Sequence, residues 1–234
     1  MANSNKNYKS DAETIDRTRE YTLLDAMTLI SGFKERKFDQ TVEAAIHLDV
    51  DPRKADQMVR GSVNLPNGTG RTRAGLVFAR GGAADAATAA GADFVGAEDL
   101  VEKVKGGWTE FDVAIATPDM MGIVGQLGRV LGPRGLMPNP KTGTVTPDTT
   151  KAVGDAKGGK VDFRVDSAGN VHAPLGLTSF EPEKLAENAK ALFEAIVRAR
   201  PVTVKGHYVK SVSVCGTMTP SVKLDRNEVR EASH

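Results

Sequence analysis

Ala74-Gly-Leu-Val-Phe-Ala79 and Asp112-Val-Ala-Ile-Ala-Thr117 are two short, almost wholly apolar runs near the middle of the chain. Between them lie an alanine-rich stretch at 83–90, a short run at 93–95 and a helical pattern at 98–105. Continuous apolar strands that alternate with helices are typical of a parallel sheet covered on both faces. The middle of the chain therefore predicts an open, parallel α/β domain.

Two glycine-rich breaks bracket this segment. Pro66-Asn-Gly-Thr-Gly70 precedes it, and Lys157-Gly-Gly159 follows its last predicted helix at 148–156. We predict that residues 68–158 are inserted into an α+β domain built from both chain ends, 1–67 plus 159–234. Two sequential domains with ordinary linkers are the alternative that the pattern alone leaves open. Because glycine permits many backbone conformations, the paired breaks also predict a hinge.

The two terminal segments combine helical and alternating patterns. Helical spacing of apolar residues predicts helices at 21–33 and 183–199. Alternation predicts strands at 39–49, 60–65, 160–165, 170–174 and 208–217. The run at 60–65 is interpreted as the partner of the first strand, and Asp166-Ser-Ala-Gly169 as a hairpin turn. The polar residues 1–20 predict a mobile arm, and 227–234 a second polar tail.

Charge is nearly balanced over the whole chain but not along it. With 31 Lys and Arg against 30 Asp and Glu, the formal net charge is +1. Two stretches nevertheless contain basic residues and no acidic ones, 195–224 with Arg198, Arg200, Lys205, Lys210 and Lys223, and 120–147 with Arg129, Arg134 and Lys141. Such stretches are typical of a surface that faces phosphates, and chance clustering is the alternative.

Composition argues against several classes of protein. A single cysteine, Cys215, excludes an internal disulfide and is expected to be a small buried hydrophobe in its strand. The four histidines have no metal-ligand spacing, so no metal and no cofactor are expected. No window is long and apolar enough for a membrane span or a signal peptide, so we expect a cytoplasmic protein with no membrane partner.

One segment approaches a nucleotide-binding motif. Gly135-Leu-Met-Pro-Asn-Pro140-Lys-Thr142 fits the phosphate-binding loop G-x-x-x-x-G-K-[ST] except at its second glycine. The phosphate-binding loop binds phosphates through backbone N–H groups. Pro140 has no N–H and its φ is fixed, so it cannot replace the second glycine of the motif. A nucleotide-dependent α/β enzyme is therefore the weaker alternative, and the surrounding segment 124–143 is interpreted as a structured loop outside the core.

The same segment carries a family resemblance. Gly128-Arg-Val-Leu-Gly-Pro-Arg-Gly-Leu-Met-Pro138, with Ala116-Thr-Pro-Asp119 before it, resembles the signature of the bacterial large-subunit ribosomal protein L-one family. Similar residues occur at Lys37-Phe-Asp39, His172-Ala-Pro-Leu-Gly176 and Thr217-Met218 with Pro220. The resemblance implies an RNA-binding α+β domain formed by the chain ends and a Rossmann-like inserted domain.

The resemblance also implies a function without catalysis. Members bind the ribosomal RNA stalk beside the tRNA exit site, assist the release of deacylated tRNA, and repress their own operon through its messenger RNA leader. The protein is then a cytoplasmic monomer within the ribosome, and a repressor that acts only off the ribosome is the alternative. The implied RNA-binding residues are Lys37, Phe38, Thr41, His172, Ser179, Ser211, Thr217, Met218 and Pro220, with Arg129, Arg134 and Lys141 as a second RNA or partner loop.

Two positions depart from the family pattern. Thr219 stands where the family has glycine after Thr-Met, and Leu177 stands where a lysine frequently follows Gly176. A close backbone approach of RNA at 219 and a cationic contact at 177 are therefore not predicted for this chain.

Overall fold

The computed structural model describes residues 6–71 and 73–231, with the side chains of Ala55, Lys141, Arg230 and Glu231 excepted. The chain divides into two compact units. The terminal unit comprises Met1–Gly70 and Val161–His234, and the inserted unit comprises Arg71–Lys160.

Helices and strands occur in both units. The helices are α1 (Lys6–Glu13), α2 (Leu23–Ser31), α3 (Gly82–Ala89), α4 (Glu98–Lys105), α5 (Met121–Val124), α6 (Gly128–Leu131), α7 (Thr149–Lys157), α8 (Pro182–Arg198) and α9 (Arg226–Glu231). The strands are β1 (Thr41–Leu48), β2 (Arg60–Asn64), β3 (Gly75–Phe78), β4 (Phe94–Gly96), β5 (Val113–Ala116), β6 (Lys160–Arg164), β7 (Asn170–Leu177), β8 (Val209–Gly216) and β9 (Val222–Leu224).

The inserted unit is the parallel α/β sheet that the sequence predicts. Its strands lie in the order β4-β3-β5, and β3 pairs in parallel with both neighbours. Successive residues of β3 face opposite sides, so Val77 joins one apolar cluster with α3 and α7 while Leu76 and Phe78 join another with α4. Both faces of the sheet are therefore covered, which explains why its strands are continuous apolar runs.

The glycine-rich segment after β5 contributes to the core, contrary to the prediction of a loop. Short helical turns occupy residues 118–131, and Met120, Val124, Leu127 and Leu131 are fully buried. These apolar residues recur every three or four positions, which is the helical period, and that period prevails over the poor helix propensity of the intervening glycines. Only the part beyond Leu131 contains the predicted loop.

The terminal unit contains a four-stranded antiparallel sheet in the order β7-β1-β8-β9. Helices α2, α8 and α9 contact its strands and pack on one face. Alternate residues of β1, including Val42, Ala44 and Ile46, are fully buried beneath these helices. The opposite residues of each strand therefore form a second face, on which the candidate site is built.

The prediction that 60–65 pairs with the first strand is wrong. β2 pairs instead with β6 in a separate two-stranded sheet, because both edges of β1 are occupied by β7 and β8. The turn at 166–169 has the predicted hydrogen bonds, with the Asp166 N–H donating to the Asn170 carbonyl at 2.7 Å. It nevertheless leads from one sheet to the other, and Val165 with Val171 is an isolated bridge.

Both chain ends have more structure than their composition indicates. Residues 6–13 form α1, so the prediction of a mobile arm is wrong there, while residues 1–5 lie outside the described residues. At the other end, β9 and α9 were not predicted, and only 232–234 fall outside the description. Polar composition is a poor guide here because a short helix is stabilised by what it packs against.

The first glycine-rich connection is packed into the terminal unit. Gly70 has φ +74°, and a Cβ there would lie 2.8 Å from Leu177 Cδ1 and 2.9 Å from Phe180 Cε1. Asn188 of α8, fully buried, accepts a hydrogen bond from the Asn67 N–H at 3.0 Å and donates to the Gly68 carbonyl at 3.0 Å. Residues 67–70 are thus held by the terminal unit, and Gly70 is required there by its conformation and by a close contact.

Candidate RNA-binding surface

The second face of the four-stranded sheet is called the open face. It comprises Thr41, Glu43, Ala45, His47, Asn170, His172, Pro174, Ser211, Ser213, Cys215 and Lys223, all exposed or half-buried. Cross-strand pairing places Ala45 at its centre, between His172 of β7 and Ser213 of β8. The face is mainly polar and offers hydroxyl, amide and imidazole groups, which suits contact with a hydrogen-bonding partner.

Several titratable groups of the open face have neighbouring polar partners. His47 Nδ1 lies 2.8 Å from Asn170 Oδ1, and His172 Nε2 lies 4.0 Å from Asp166 Oδ2. Cys215 is half-buried beside Glu43, so its prediction as a buried hydrophobe is wrong. Burial, and then the Glu43 carboxylate, raise the pKa of the Cys215 thiol, which therefore stays protonated at neutral pH.

A carboxylate organises the end of the face where β1 begins. Asp39 Oδ1 accepts hydrogen bonds from Thr178 Oγ1 at 2.8 Å and the Ser179 N–H at 3.1 Å, and Oδ2 accepts from Ser179 Oγ at 2.6 Å. Desolvation raises the pKa of Asp39, but the hydrogen bonds from Ser179 and Thr178 together outweigh it and leave the pKa below its usual value. The ionised carboxylate thus ties the start of β1 to the segment after β7.

Gln40 and Thr217 tie the same end to β8. Gln40 is buried, and its Oε1 accepts from the Met218 N–H at 2.9 Å. Thr217 Oγ1 accepts from the Thr41 N–H at 3.2 Å and donates to the Thr41 carbonyl at 3.3 Å. Side chains on β1 and β8 are thereby held in one arrangement at the edge of the open face.

The structure brings most of the sequence-predicted residues together. Thr41, His172 and Ser211 lie on the open face, with Thr217 directly after it. Lys37, Phe38, Ser179 and Met218 lie around the end where β1 begins, and the large apolar side chains Phe38 and Met218 are 49% and 51% exposed. Pro220 is buried, so it presents little surface to a partner.

The second predicted group lies in the inserted unit. Arg129 is exposed at α6, and Arg134 is exposed with its guanidinium hydrogen-bonded to Thr109 Oγ1. Lys141 belongs to a short helical turn, but its side chain lies outside the described residues. All three residues belong to the inserted unit, whereas the open face belongs to the terminal unit.

The two departures from the family pattern have structural roles. Thr219 is buried, and its Oγ1 accepts a hydrogen bond from the Gly216 N–H at 2.8 Å, which closes the turn after β8. Leu177 is half-buried and packs where a Cβ on Gly70 would collide with it. Both side chains are turned into the protein, and neither offers a cation to a partner.

The basic stretch at 195–224 is less free than its sequence indicates. Lys210 Nζ pairs with Asp49 at 2.8 Å, and Lys223 Nζ pairs with Glu20 at 2.6 Å. Arg200 donates to the Val204 and Gly206 carbonyls and so stabilises its own loop. The acids that balance these cations come from distant parts of the chain, which a local charge count cannot detect.

Three structural residues of the site were missed from the sequence, namely Asp11, Arg36 and Gln40, and Asp39 was named only as part of a motif. Asp39 and Gln40 stand next to predicted contact residues, and their position just before an alternating run was the available signal. Asp11 and Arg36 are 25 positions apart, and their pairing is visible only in the folded chain.

The described residues contain neither a metal-binding cluster nor a membrane-spanning helix. Across the described ranges 6–71 and 73–231, no group of three or more His, Cys, Asp or Glu side chains could hold a metal ion. Within the same ranges, no helix has the length and apolar character needed to cross a bilayer.

An antiparallel α+β unit with a polar open face, interrupted by a parallel α/β unit, defines a protein of two units of mixed helix and strand with a surface suited to a hydrogen-bonding partner. Residues 30–220 match the model of the Ribosomal protein L1p/L10e family. The chain is 57% identical to Large ribosomal subunit protein uL1 of Pseudarthrobacter chlorophenolicus over 97% of both chains. It is 59% identical to the protein of that name from Bifidobacterium adolescentis, over 96% of this chain and 98% of the relative. The chain belongs to this ribosomal protein family, which confirms the resemblance.

Proposed function

We propose that the protein is a structural constituent of the large ribosomal subunit that binds the ribosomal RNA stalk through the terminal unit. The observation that carries the proposal is that Thr41, His172 and Ser211 lie on one polar face of the sheet, with Ser179 and Thr217 at the end where β1 begins. Family membership and the names of the relatives support the assignment to the large subunit. The function is one of binding, with no catalytic group required.

The hydroxyl groups of Ser179 and Thr217 have already used their single hydrogen within the protein. Ser179 Oγ donates its hydrogen to Asp39, and Thr217 Oγ1 donates to the Thr41 carbonyl. A hydroxyl has one hydrogen and two acceptor positions, so each of these oxygens has only acceptor capacity left for a partner. The RNA 2′-hydroxyl is a donor that DNA lacks. The surface therefore favours RNA over DNA of the same sequence.

Exposed apolar and charged side chains complete the surface. Phe38 and Met218 are about half exposed at its edge, where an aromatic ring can stack on a base and a thioether can adapt to its shape. Lys37 is exposed beside Phe38 and can meet a phosphate. This combination explains how a chain of formal net charge +1 can recognise a folded RNA by shape and hydrogen bonding.

A filter-binding titration against stalk RNA fragments, with an unrelated hairpin as competitor, tests this function. We expect Thr217→Ala and Ser179→Cys each to weaken binding by about 1–3 kcal/mol, because a polar RNA group loses its partner. Thr203→Ala removes an exposed hydroxyl from a distant loop and should bind as the unaltered protein does. Equal affinity for stalk and unrelated hairpin would refute the proposed function, and unchanged affinity in both variants would remove these two residues from the site.

Two further roles follow from family membership and are proposed with it. The protein, as a cytoplasmic monomer within the ribosome, assists the release of deacylated tRNA and represses its own operon by binding the messenger RNA leader. Ribosomes that lack the protein should release deacylated tRNA more slowly, and added protein should restore the rate. Excess protein should lower translation of a reporter that carries the leader. An unaltered release rate or reporter level would contradict the corresponding role.

A further inference from the structure

The loop between α2 and β1 carries two of the proposed RNA contacts. Residues 34–40 contain no helix or strand, yet Lys37 and Phe38 lie within them. Their positions depend on how the two ends of the loop are fixed, because an irregular segment has no ladder of backbone hydrogen bonds to hold it. Asp39 and Gln40 anchor the end that leads into β1.

The other end is anchored by the N-terminal helix. Asp11 of α1 accepts a hydrogen bond from Arg36 Nη2 on Oδ2 at 2.6 Å and from the Lys34 N–H on Oδ1 at 3.3 Å. The side chains of Arg36 and Asp11 are only 8% and 4% exposed. One buried carboxylate thus binds both the backbone and a side chain of the loop, immediately before Lys37 and Phe38.

The energetics of this pair argue for a geometric role. Arg36 Nη1 is buried and has no hydrogen-bond partner within the part of the chain that the structure describes. Burying a guanidinium with part of its hydrogen-bonding capacity unused is costly, and buried ion pairs are often no better for stability than apolar side chains of similar volume. Breaking the Asp11–Arg36 pair would leave a buried charge unpaired, which is unfavourable. The pair therefore holds α1 and the loop in a single arrangement.

We propose that Asp11 and Arg36 are positioning residues for RNA recognition. Helix α1 then contributes to RNA binding by holding the loop that carries Lys37 and Phe38. The inference rests on the proposed function, because it concerns the same surface. Asp11 holds Arg36 and the Lys34 backbone, and these hold Lys37 and Phe38 in the conformation that RNA meets. Neither Asp11 nor Arg36 needs to touch RNA.

A double-mutant cycle between Asp11 and Phe38 tests the inference. Stalk RNA affinity is measured for the full chain and for Asp11→Ala, Phe38→Ala and the double variant, well below each unfolding midpoint. We expect each single variant to lose about tenfold or more in affinity. The double variant should lose clearly less affinity than the two single losses added together, because Asp11 acts in part through the ring that is already absent.

Controls separate positioning from general destabilisation. Val229→Ala truncates a fully buried side chain of α9 and should lower stability with no effect on RNA affinity. Asp11→Asn keeps an acceptor for the Lys34 N–H and serves where Asp11→Ala does not fold. Its affinity loss should also be smaller in a Phe38→Ala background.

The outcomes distinguish this inference from the proposed function. Unchanged affinity in Asp11→Ala, or losses that add fully in the double variant, would overturn the positioning role while stalk RNA binding stands. Failure of the unaltered protein to prefer stalk RNA would instead remove the proposed function itself.

Discussion

Ala45→Glu is expected to lower the affinity for stalk RNA by about a hundredfold, because it places a carboxylate at the centre of the open face. Ala45 lies between His172 and Ser213 on neighbouring strands and is half-buried, so a longer side chain can extend outward without disturbing the core. In the proposed complex the new charge would repel the phosphates of the RNA. Filter binding at fixed salt measures the loss.

Two control variants isolate the charge at position 45. Ala45→Gln has nearly the same shape as Ala45→Glu but no charge, and should lose much less affinity. Val202→Glu makes the same change in net charge at a fully exposed loop position and should leave RNA binding almost unaltered. Equal losses for Gln and Glu would show that bulk, not charge, is responsible. No loss for Glu would mean that RNA does not contact the open face.

Asn188→Leu is expected to lower the free energy of unfolding by about 3–5 kcal/mol, because it leaves one buried and two partly buried backbone groups without partners. Asn188 Nδ2 donates to the Leu175 carbonyl at 2.7 Å and to the Gly68 carbonyl at 3.0 Å. Its Oδ1 accepts from the Asn67 N–H at 3.0 Å. A single side chain thus joins α8, β7 and the first connection, and leucine of similar volume satisfies none of these groups.

Denaturant unfolding followed by far-ultraviolet circular dichroism measures the effect. Lys190→Leu introduces the same residue at an exposed position of α8 and should change stability by less than about 0.5 kcal/mol. Trp108 is the single tryptophan and lies in the inserted unit, so its fluorescence reports on the unfolding of that unit. The substitution should therefore move the unfolding midpoint seen by fluorescence less than the midpoint seen by circular dichroism. A stability within about 1 kcal/mol of the unaltered protein would mean that water or a rearranged backbone replaces the Asn188 hydrogen bonds.

The inserted unit and the sheet of the terminal unit could largely be predicted from the sequence. Continuous apolar runs such as 75–78 have no polar face, and this predicts strands covered on both sides. The alternation in β1 predicts one buried and one open face. Both patterns are local consequences of side-chain geometry in a strand, so periodicity alone reveals them.

The candidate site could be predicted mainly from motifs that resemble those of the family. The residues around Lys37, Ser179 and Thr217 were identified by resemblance, whereas their hydrogen bonds to Asp39, Gln40 and Thr41 depend on strand pairing. Pro220 was predicted as a contact but is buried, because the turn after β8 directs it inward. The sequence carries no local signal for the direction of a turn residue.

The sequence by itself determined the family and the two kinds of sheet, and its motifs named the candidate contact residues. Only the tertiary structure decided that β2 pairs with β6, that Asp11 anchors the loop of Phe38, and that Asn188 holds the first connection. Each of these depends on residues far apart in the chain competing for one partner or one buried position. Local periodicity does not reveal the outcome of this competition. The outcome depends on which polar groups the folded core buries, because a buried polar group needs a hydrogen-bond partner.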